Sequence, residues 1–475
     1  MAGMVVKNNL SAVDTLNTLN KNHSALSKSL RKVSSGMRIN SAADDASGYA
    51  ISERMRVQIR SLDQANRNAQ NGNSMMKVAE GAVQSTVDIL KTLKEKVLNA
   101  ANDTNTDSDR QQIQKELDQS IDQINDNANV TYNGKYLIDG SHNRRVVTAP
   151  MAAKGPDPGR INDGIYTYSG TVSSFTNRSL GSNVTNTTKV TEITDSTGRN
   201  LEINEGDTVT VSWVRDGKTN IVSYQVRSSL TLGNIFTGDN DRSDATAIAG
   251  VAKPSDITKH LKLVHLNERN CIGVDESGNK VYTPDLGSAL TFGAYHPGVD
   301  GQISGFTICV TDKDGNINKS ANAVLDAWEE TIRGQNASKD NSIVLQTGTR
   351  ANQAVKVGFT DMRARALGLQ GRNGNTLNVC TQANANIAIN VLDTAIQKAL
   401  NEITKIGAVE SRLEYTSANL ATAAENVTAS ESTIRDADMA KEMTEYTKNN
   451  VLLQAAQSML AQANQNSSSV LSLLQ

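Results

Sequence analysis

Proline is confined to the middle of this 475-residue chain. All six prolines, at 150, 156, 158, 254, 284 and 297, fall between residues 141 and 341, and so do eleven of the seventeen aromatics. A proline inside a helix removes a backbone donor and clashes with the preceding turn, at a cost of about 3 kcal/mol. Two long proline-free flanks therefore permit uninterrupted helices at both ends, around a middle that opposes them.

The flanks carry the pattern of such helices. From residue 55, alternating steps of four and three meet Met55, Ile59, Leu62, Asn66, Ala69, Asn73, Met76, Glu80, Val83, Val87, Leu90, Lys94 and Val97. Nine of these thirteen are apolar, which is the seam of a coiled coil. A helix over 53–100 would be about 70 Å long at 1.5 Å per residue. The polar seam positions Asn66, Asn73, Glu80 and Lys94 either fix register or mark where a straight helix drifts off the seam. Ala65, Gly72, Ala79 and Leu93 beside them favour drift. A second stretch places Ile113, Leu117, Ile121, Ile124 and Ala128 on one face, after a turn NDTNTDSD, with Ser108 or Asp109 as N-cap.

The C-terminal flank repeats the steps through Ile389, Leu392, Ile396, Ala399, Ile403, Ile406, Glu410, Leu413, Ser417, Leu420, Ala424, Val427, Glu431 and Ile434. The expected core of a helical rod is Met55, Ile59, Leu62, Met76, Val83 and Leu90 from one flank. Ile396, Ile403, Leu413 and Leu420 face them from the other. Weaker stripes occupy the two ends: Leu26, Leu30, Val33 and Met37, and then Met439, Met443, Tyr446, Leu453, Ala456, Leu460 and Ala463. Narrow stripes on single helices do not hold in water. Diluted by Asn, Ser and Gln, these ends read as marginal alone. Their apolar positions make sense as an assembly seam (Leu26, Leu30, Val33, Met37, Leu453, Ala456, Leu460, Ala463) ordered by burial among many copies.

Composition narrows the function classes. Net charge is −2, so no global field attracts nucleic acid or an anionic membrane. No run of about 20 apolar residues exists to span a bilayer. The N-terminus lacks a secretory signal layout, so the protein stays inside or leaves by a route that keeps its N-terminus. Aromatics are 4% of the chain, which suits thin helix-on-helix packing.

The middle reads as mostly β, with its own aromatic core, in one domain or two. In 207–227, Val209, Val211 and Trp213 alternate to one face, as do Val222, Tyr224 and Val226, around an Asp216-Gly217 hairpin turn. Residues 306–318, with Asp314-Gly315, are a second hairpin candidate. ANAVLDAWEETIR at 321–333 reads as one amphipathic helix with Val324, Leu325, Trp328 and Ile332 together.

Candidate chemistry is sparse. Cys271, Cys309 and Cys380 include no CxxC pair; Cys271 and Cys309 either pair or stay as two buried thiols. His260, His265 and Cys271 fit no common zinc spacing. Residues 265–269 are HLNER rather than HExxH, and no GxSxG elbow occurs. No catalytic, metal or cofactor site is expected. The Ser/Thr-rich stretch 169–188 is a polar surface region or a set of O-glycan acceptors.

Four segments together resemble the bacterial flagellins. LSKSLRKVSSGMRINSAADDASGYAISERMRVQIRSLDQANRNAQNG, from Leu26, is similar to the family's N-terminal signature. TYNGKYLIDG at 131–140 resembles the end of its N-terminal region. LQTGTRANQAVKVGFTDMRARALGL at 345–369 resembles its hairpin segment, and 432–475, beginning STIRDADMAKEM, its C-terminus. The resemblance runs in family order at both ends and leaves the middle uncovered.

It implies a mainly α fold: long antiparallel coiled-coil helices from both chain ends form a rod, with a β-rich α+β outer insert. Residues 1–44 with 436–475 would be an inner terminal coiled-coil domain, 45–141 with 342–435 the helical rod, and 142–341 the variable insert. SSGMRINSAADDASGYAISERMR at 34–56 would be the spoke between inner and outer helices, or else a plain solvated linker. In the spoke reading Asp44 and Asp45 satisfy amides at the next helix start. The implied function is a structural subunit that self-assembles into the flagellar filament, the motility propeller. Implied partners are further copies, the export apparatus, an export chaperone that binds the C-terminus, and the filament cap and hook-junction proteins. Export would be unfolded and the final location extracellular. A hook–filament junction protein, or a filament subunit with an added adhesin role in the insert, are the alternatives.

A host toll-like innate receptor is a further implied partner, reading Thr92–Asp103 on the long helix. Glu116 matches the family's acidic contact, whereas Thr92 and Lys96 stand where the pattern has arginine and leucine. Those departures lead us to expect weak activation.

Overall fold

The computed structural model describes residues 9–146, 170–181, 184, 187–237, 261–263, 271–275, 280–282 and 290–473. The long helices are α1 (Leu10–Ser35), α2 (Ala46–Ala100) and α3 (Asp107–Ala128) in the N-terminal flank. Short helices α4 (Leu232–Thr237), α5 (Lys319–Leu325) and α6 (Ala364–Leu367) follow. Helices α7 (Gln382–Arg435) and α8 (Met439–Leu473) end the chain. The chain divides into two compact units: Met1–Gln70, Gln346–Ala354 and Glu414–Gln475 form the first, Asn71–Leu345 and Val355–Leu413 the second.

In the second unit, α2, α3 and α7 share a core. Met76, Val83 and Leu90 of α2, Ile121 and Ile124 of α3, and Leu392, Ala399 and Leu413 of α7 are all fully buried. Ile396 and Ile403 lie at its edge, half-buried. The seam drifts as the 3.6-residue period demands: Ala79 and Leu93 are buried beside Glu80 and Lys94. In the first unit Leu62 and Ala65 are buried, while Met55, Ile59 and Leu420 stay half-covered. Asn66 adds one register contact there, accepting from Ser417 Oγ at 2.6 Å.

Helix α3 starts two or three residues earlier than expected. Thr106, not Ser108 or Asp109, is the N-cap. Thr106 Oγ1 accepts from the Asp109 amide (3.3 Å) and Asp109 Oδ2 accepts from the Thr106 amide (3.0 Å). This reciprocal capping box satisfies two orphan donors at once. Across the turn, buried Arg110 donates to the Ala100 and Asn102 carbonyls at 2.9 and 3.1 Å, closing the end of α2.

Strands lie mostly in the insert. Outside it are the two-residue hairpin β1 (Thr131–Tyr132) and β2 (Lys135–Tyr136), and the hairpin β12 (Ile343–Gln346) and β13 (Ala354–Val357). Within it, β10 (Ile303–Thr311), β4 (Thr208–Arg215) and β5 (Lys218–Gln225) form one antiparallel sheet in that order. Strands β11 (Trp328–Ile332), β3 (Ser174–Asn177), β9 (Leu290–Ala294) and β6 (Leu261–Leu263) form a second. A third pair joins β7 (Cys271–Val274) to β8 (Lys280–Tyr282). The β4–β5 turn has Asp216 and Gly217 at φ +53° and +72°, the left-handed pair that a two-residue hairpin requires. Val209, Val211, Trp213, Val222, Tyr224 and Val226 are buried on its inner face. The two sheets share one core centred on Trp213, Phe236, Phe292 and Phe306.

Three expectations for the insert need correction. Residues 321–333 are not one helix: α5 ends at Leu325 and Trp328–Ile332 is strand β11, paired with β3. Short apolar spacing cannot separate the two periods, and β3 supplies the partner that decides. The second hairpin turns at Gly315 (φ +84°), but its return arm is a single bridge from Ile317 to Thr311 before α5 begins. The Ser/Thr-rich stretch is not a polar surface over 171–177, although Arg178 and Thr187 further along it are exposed. Thr171, Ser173, Ser174 and Thr176 are buried, since β3 is an inner strand and Thr176 bonds Thr291 and Thr331. Those hydroxyls cannot take a glycan in the folded chain.

Cys309 and Cys380 are free thiols. The side chain of Cys271, and residues His260 and His265 of the zinc reading, lie outside the described residues. Among the described residues no group of three or more His, Cys, Asp or Glu can hold a metal ion, and no helix is long and apolar enough to cross a membrane.

Candidate assembly surface

The two chain ends are helices that run antiparallel along each other. Asn9 Nδ2 donates to the Ala463 carbonyl (3.3 Å), Asn22 Nδ2 to the Leu452 carbonyl (3.3 Å) and Asn449 Nδ2 to Ser29 Oγ (3.0 Å). Lys32 Nζ meets Glu442 Oε1 at 3.2 Å. Single helices of this composition were expected to be marginal; pairing gives them the partner they lack. The mutual cover is thin. Among the described side chains of the pair, Ser29, Glu442 and Ala456 are the buried ones, and Leu26, Val33, Met37, Leu453, Leu460 and Ala463 are half-covered. Leu30, on the expected seam, points outward. So do Leu10, Val13 and Leu16 of α1 and Met443, Val451, Leu452 and Met459 of α8, each at least 42% exposed.

A glycine ends α1. Gly36 takes the left-handed C-cap conformation (φ +69°), where a side chain is strained. The chain then runs beside the α7–α8 break: the Arg38 amide donates to the Arg435 carbonyl (2.7 Å) and the Ala437 amide to the Gly36 carbonyl (2.9 Å). Ile39 is buried against Gly48, where an added Cβ would stand 2.7 Å from Ile39 Cδ1. Asp45 Oδ1 accepts from the Gly48 amide (2.9 Å), capping α2. Asp44 instead folds the loop, its Oδ2 accepting from the Asn40 and Ser41 amides at 3.2 and 3.1 Å. Asp45→Ala should cost about 1 kcal/mol of stability and Asp45→Asn should restore most of it, read by thermal unfolding of the full chain.

Arg435 is the hub that sequence periodicity missed. It is buried, donates to Ser52 Oγ (3.2 Å), Glu53 Oε1 (2.6 Å) and Met37 Sδ (3.2 Å), and lies 5.3 Å from the Tyr49 ring centroid. Its guanidinium holds the Glu53 carboxyl below the usual range. The available signal was the pair Asp436 and Asp438 after a long helix. Asp438 caps α8 through the Ala440 and Lys441 amides (3.0 and 3.2 Å), and a helix break there would have singled out the preceding arginine.

The second surface lies on α2 and α3. Thr92 is exposed. Lys96 Nζ sits 3.1 Å from Glu116 Oε1, both side chains half in solvent. The departure and the match are thus paired with each other.

The chain matches two family profiles: the bacterial flagellin N-terminal helical region over residues 6–143 and the bacterial flagellin C-terminal helical region over 389–474. It is 33% identical to a flagellin of Clostridium tyrobutyricum, over 97% of this chain and 99% of that protein. It is 28% identical to a flagellin of Bacillus subtilis (strain 168), over 99% and 100%. A B-type flagellin of Pseudomonas aeruginosa is 30% identical over 99% of each.

Proposed function

The chain belongs to the bacterial flagellin family, which makes it a subunit of the flagellar filament, and from that premise we propose that α1 and α8 are the surfaces by which copies lock together. The observation that carries this is the row of outward apolar side chains on two thinly covered helices. Apolar surface of that extent on a helix pair calls for a partner. Contacts that repeat head-to-tail without closing build an open helical tube. In this reading residues 1–44 with 436–475 form the inner layer, 45–141 with 342–435 the rod, and 142–341 the outer insert. The Arg435 junction fixes the spoke between the first two.

The filament lies outside the cell, so the chain would pass unfolded through the flagellar export apparatus. A chaperone that holds the C-terminal helix and a filament cap would be its partners on the way. Separated thiols without a bridge at Cys309 or Cys380 suit that passage. A hook-junction role is less supported, since the Clostridium tyrobutyricum and Bacillus subtilis flagellins match along nearly the whole chain. Electron microscopy of the purified full-length chain, concentrated in salt, tests the reading. Long tubes are expected; short stacks or none would overturn it.

The same proposal extends to the innate receptor. Arginine and apolar anchors at such a surface are worth about 2 kcal/mol or more each, and Thr92 and Lys96 supply neither. Lys96 also occupies Glu116. Purified monomer should activate a toll-like receptor reporter weakly, and Thr92→Arg with Lys96→Leu should raise activation at least tenfold. Potent activation by the parent chain would refute this.

A further inference from the structure

One face of α7 breaks the rule that a helix turns its apolar side to its neighbour. Val391, Leu392, Ala395 and Ala399 do face the rod core. The residues facing the insert are Asn390, Asp393, Thr394, Gln397, Lys398 and Asn401, a polar stripe at helical spacing. With Phe306 and Trp328 opposite, they line a cleft of about 540 Å³, within the size range of small-molecule sites.

Its polar groups are held in place. Asn390 Nδ2 donates to both carboxylate oxygens of Asp326 (3.2 and 3.1 Å). Gln397 Nε2 donates to Asn401 Oδ1 at 3.3 Å. Ser173 Oγ and Lys398 Nζ hold the two oxygens of Glu330, each at 3.3 Å. The wall opposite is equally fixed. Trp328, partly buried, is packed edge-on against Phe292 and Phe306 with centroids 4.9 and 5.1 Å apart.

Paired amides and carboxylates facing an aromatic surface match one ligand chemistry well. Vicinal hydroxyls both donate and accept, and the C–H face of a pyranose ring lies against an indole. Of the acids in the lining, Glu330 pairs with Lys398 and Asp393 with Lys94, which leaves Asp326 and Glu329 without a cation in the cleft; that net negative lining disfavours acidic sugars. We propose that this cleft binds a neutral or amino-bearing mono- or disaccharide. The filament would then carry a row of sugar sites along the junction of rod and insert, a function separate from polymerisation.

The test is a printed array of neutral, amino-sugar and sialylated glycans, probed with the full-length chain. A parallel arm uses Gln397→Leu with Asn401→Leu. Both positions are exposed on α7, so leucine fills the cleft without touching the rod core or the Lys398–Glu330 pair; circular dichroism confirms that the variant is folded. The parent should retain neutral or amino-sugar glycans, and the variant should lose at least tenfold in signal. A parent that retains no glycan, a preference for sialylated ones, or retention unchanged by the leucines overturns the proposal. A second variant, Asp326→Asn, keeps the shape and removes one charged acceptor; it should weaken retention severalfold, and unchanged retention counts against the cleft.

Discussion

A chain shortened to residues 45–435 will not form tubes under conditions where the intact protein does. The shortened chain loses α1 and α8 and with them the apolar residues left uncovered on the pair. Leu10, Val13, Met459 and Val451 are 70, 52, 63 and 58% exposed. A fully buried aliphatic side chain is worth roughly 1.5–3 kcal/mol, so half-burying the eight outward residues named on α1 and α8 supplies on the order of 10 kcal/mol per copy before ordering costs. The helices of the second unit do not depend on the deleted segments: their core residues, from Met75 to Leu413, lie wholly between 71 and 413. The expected result is therefore a folded, monomeric protein with its main thermal transition within a few degrees of the parent. Sedimentation and electron microscopy read the first part and calorimetry the second. Tubes resembling those of the intact protein would remove the basis for assigning assembly to the ends.

How much of this was readable from residues alone depends on whether the signal repeats. The seam from Met55 to Val97 repeats every seven residues, so its burial pattern, including the drift onto Ala79 and Leu93, follows from helical pitch. The Asp216-Gly217 turn was readable because two consecutive left-handed residues admit few types. What stayed hidden is non-local. Gly305 sits at φ +60° where an added Cβ would be 2.4 Å from Val391 Cγ2 and 3.0 Å from the Ile387 carbonyl; nothing near residue 305 announces a helix eighty positions on. Gly371 is the same case, with Asp216 O only 2.0 Å from where its Cβ would be. Arg435 reads as one more charge on a helix until Met37, Ser52 and Glu53 are brought around it. Trp328 and Ile332 fit either period, and only β3 decides. The insert does own the aromatic core that its sequence suggests, but the alternation along β4 gave no sign that Val214 would join the rod core instead, nor that Gly305 on β10 would meet α7.

The second large effect concerns the ion pair at that junction. Lys398 Nζ lies 3.3 Å from Glu330 Oε2, with side chains 4 and 11% exposed. With its amide turned so that the oxygen faces Lys398, Gln302 donates to the Ala366 carbonyl (3.1 Å) and accepts from Lys398. Removing one partner from such a pair leaves a buried charge alone and costs about 3–5 kcal/mol. Lys398→Met should lower stability by that amount, and adding Glu330→Leu should recover most of it, since replacing both charges with apolar groups is close to neutral. Titration gives an independent reading. Burial pushes Lys398 down to about 8, against the attraction of Glu330 and with Arg333 adding to the fall. Below pH 8 both folded and unfolded chains hold the proton. Between about 8 and 10.5 the folded chain has released it and the unfolded chain has not, so unfolding takes up a proton and stability rises with pH. The gain approaches about 3 kcal/mol at the top of that window, an upper bound at 1.36 kcal/mol per unit. Other groups titrate there too, so the measurement is the difference between parent and the Lys398→Met/Glu330→Leu variant in denaturant unfolding at pH 7.5 and pH 10. The parent should gain on the variant as pH rises. A difference that is flat, or that falls, means that the ammonium is not buried as the geometry places it, and with that the insert would no longer be fastened to α7 through this pair.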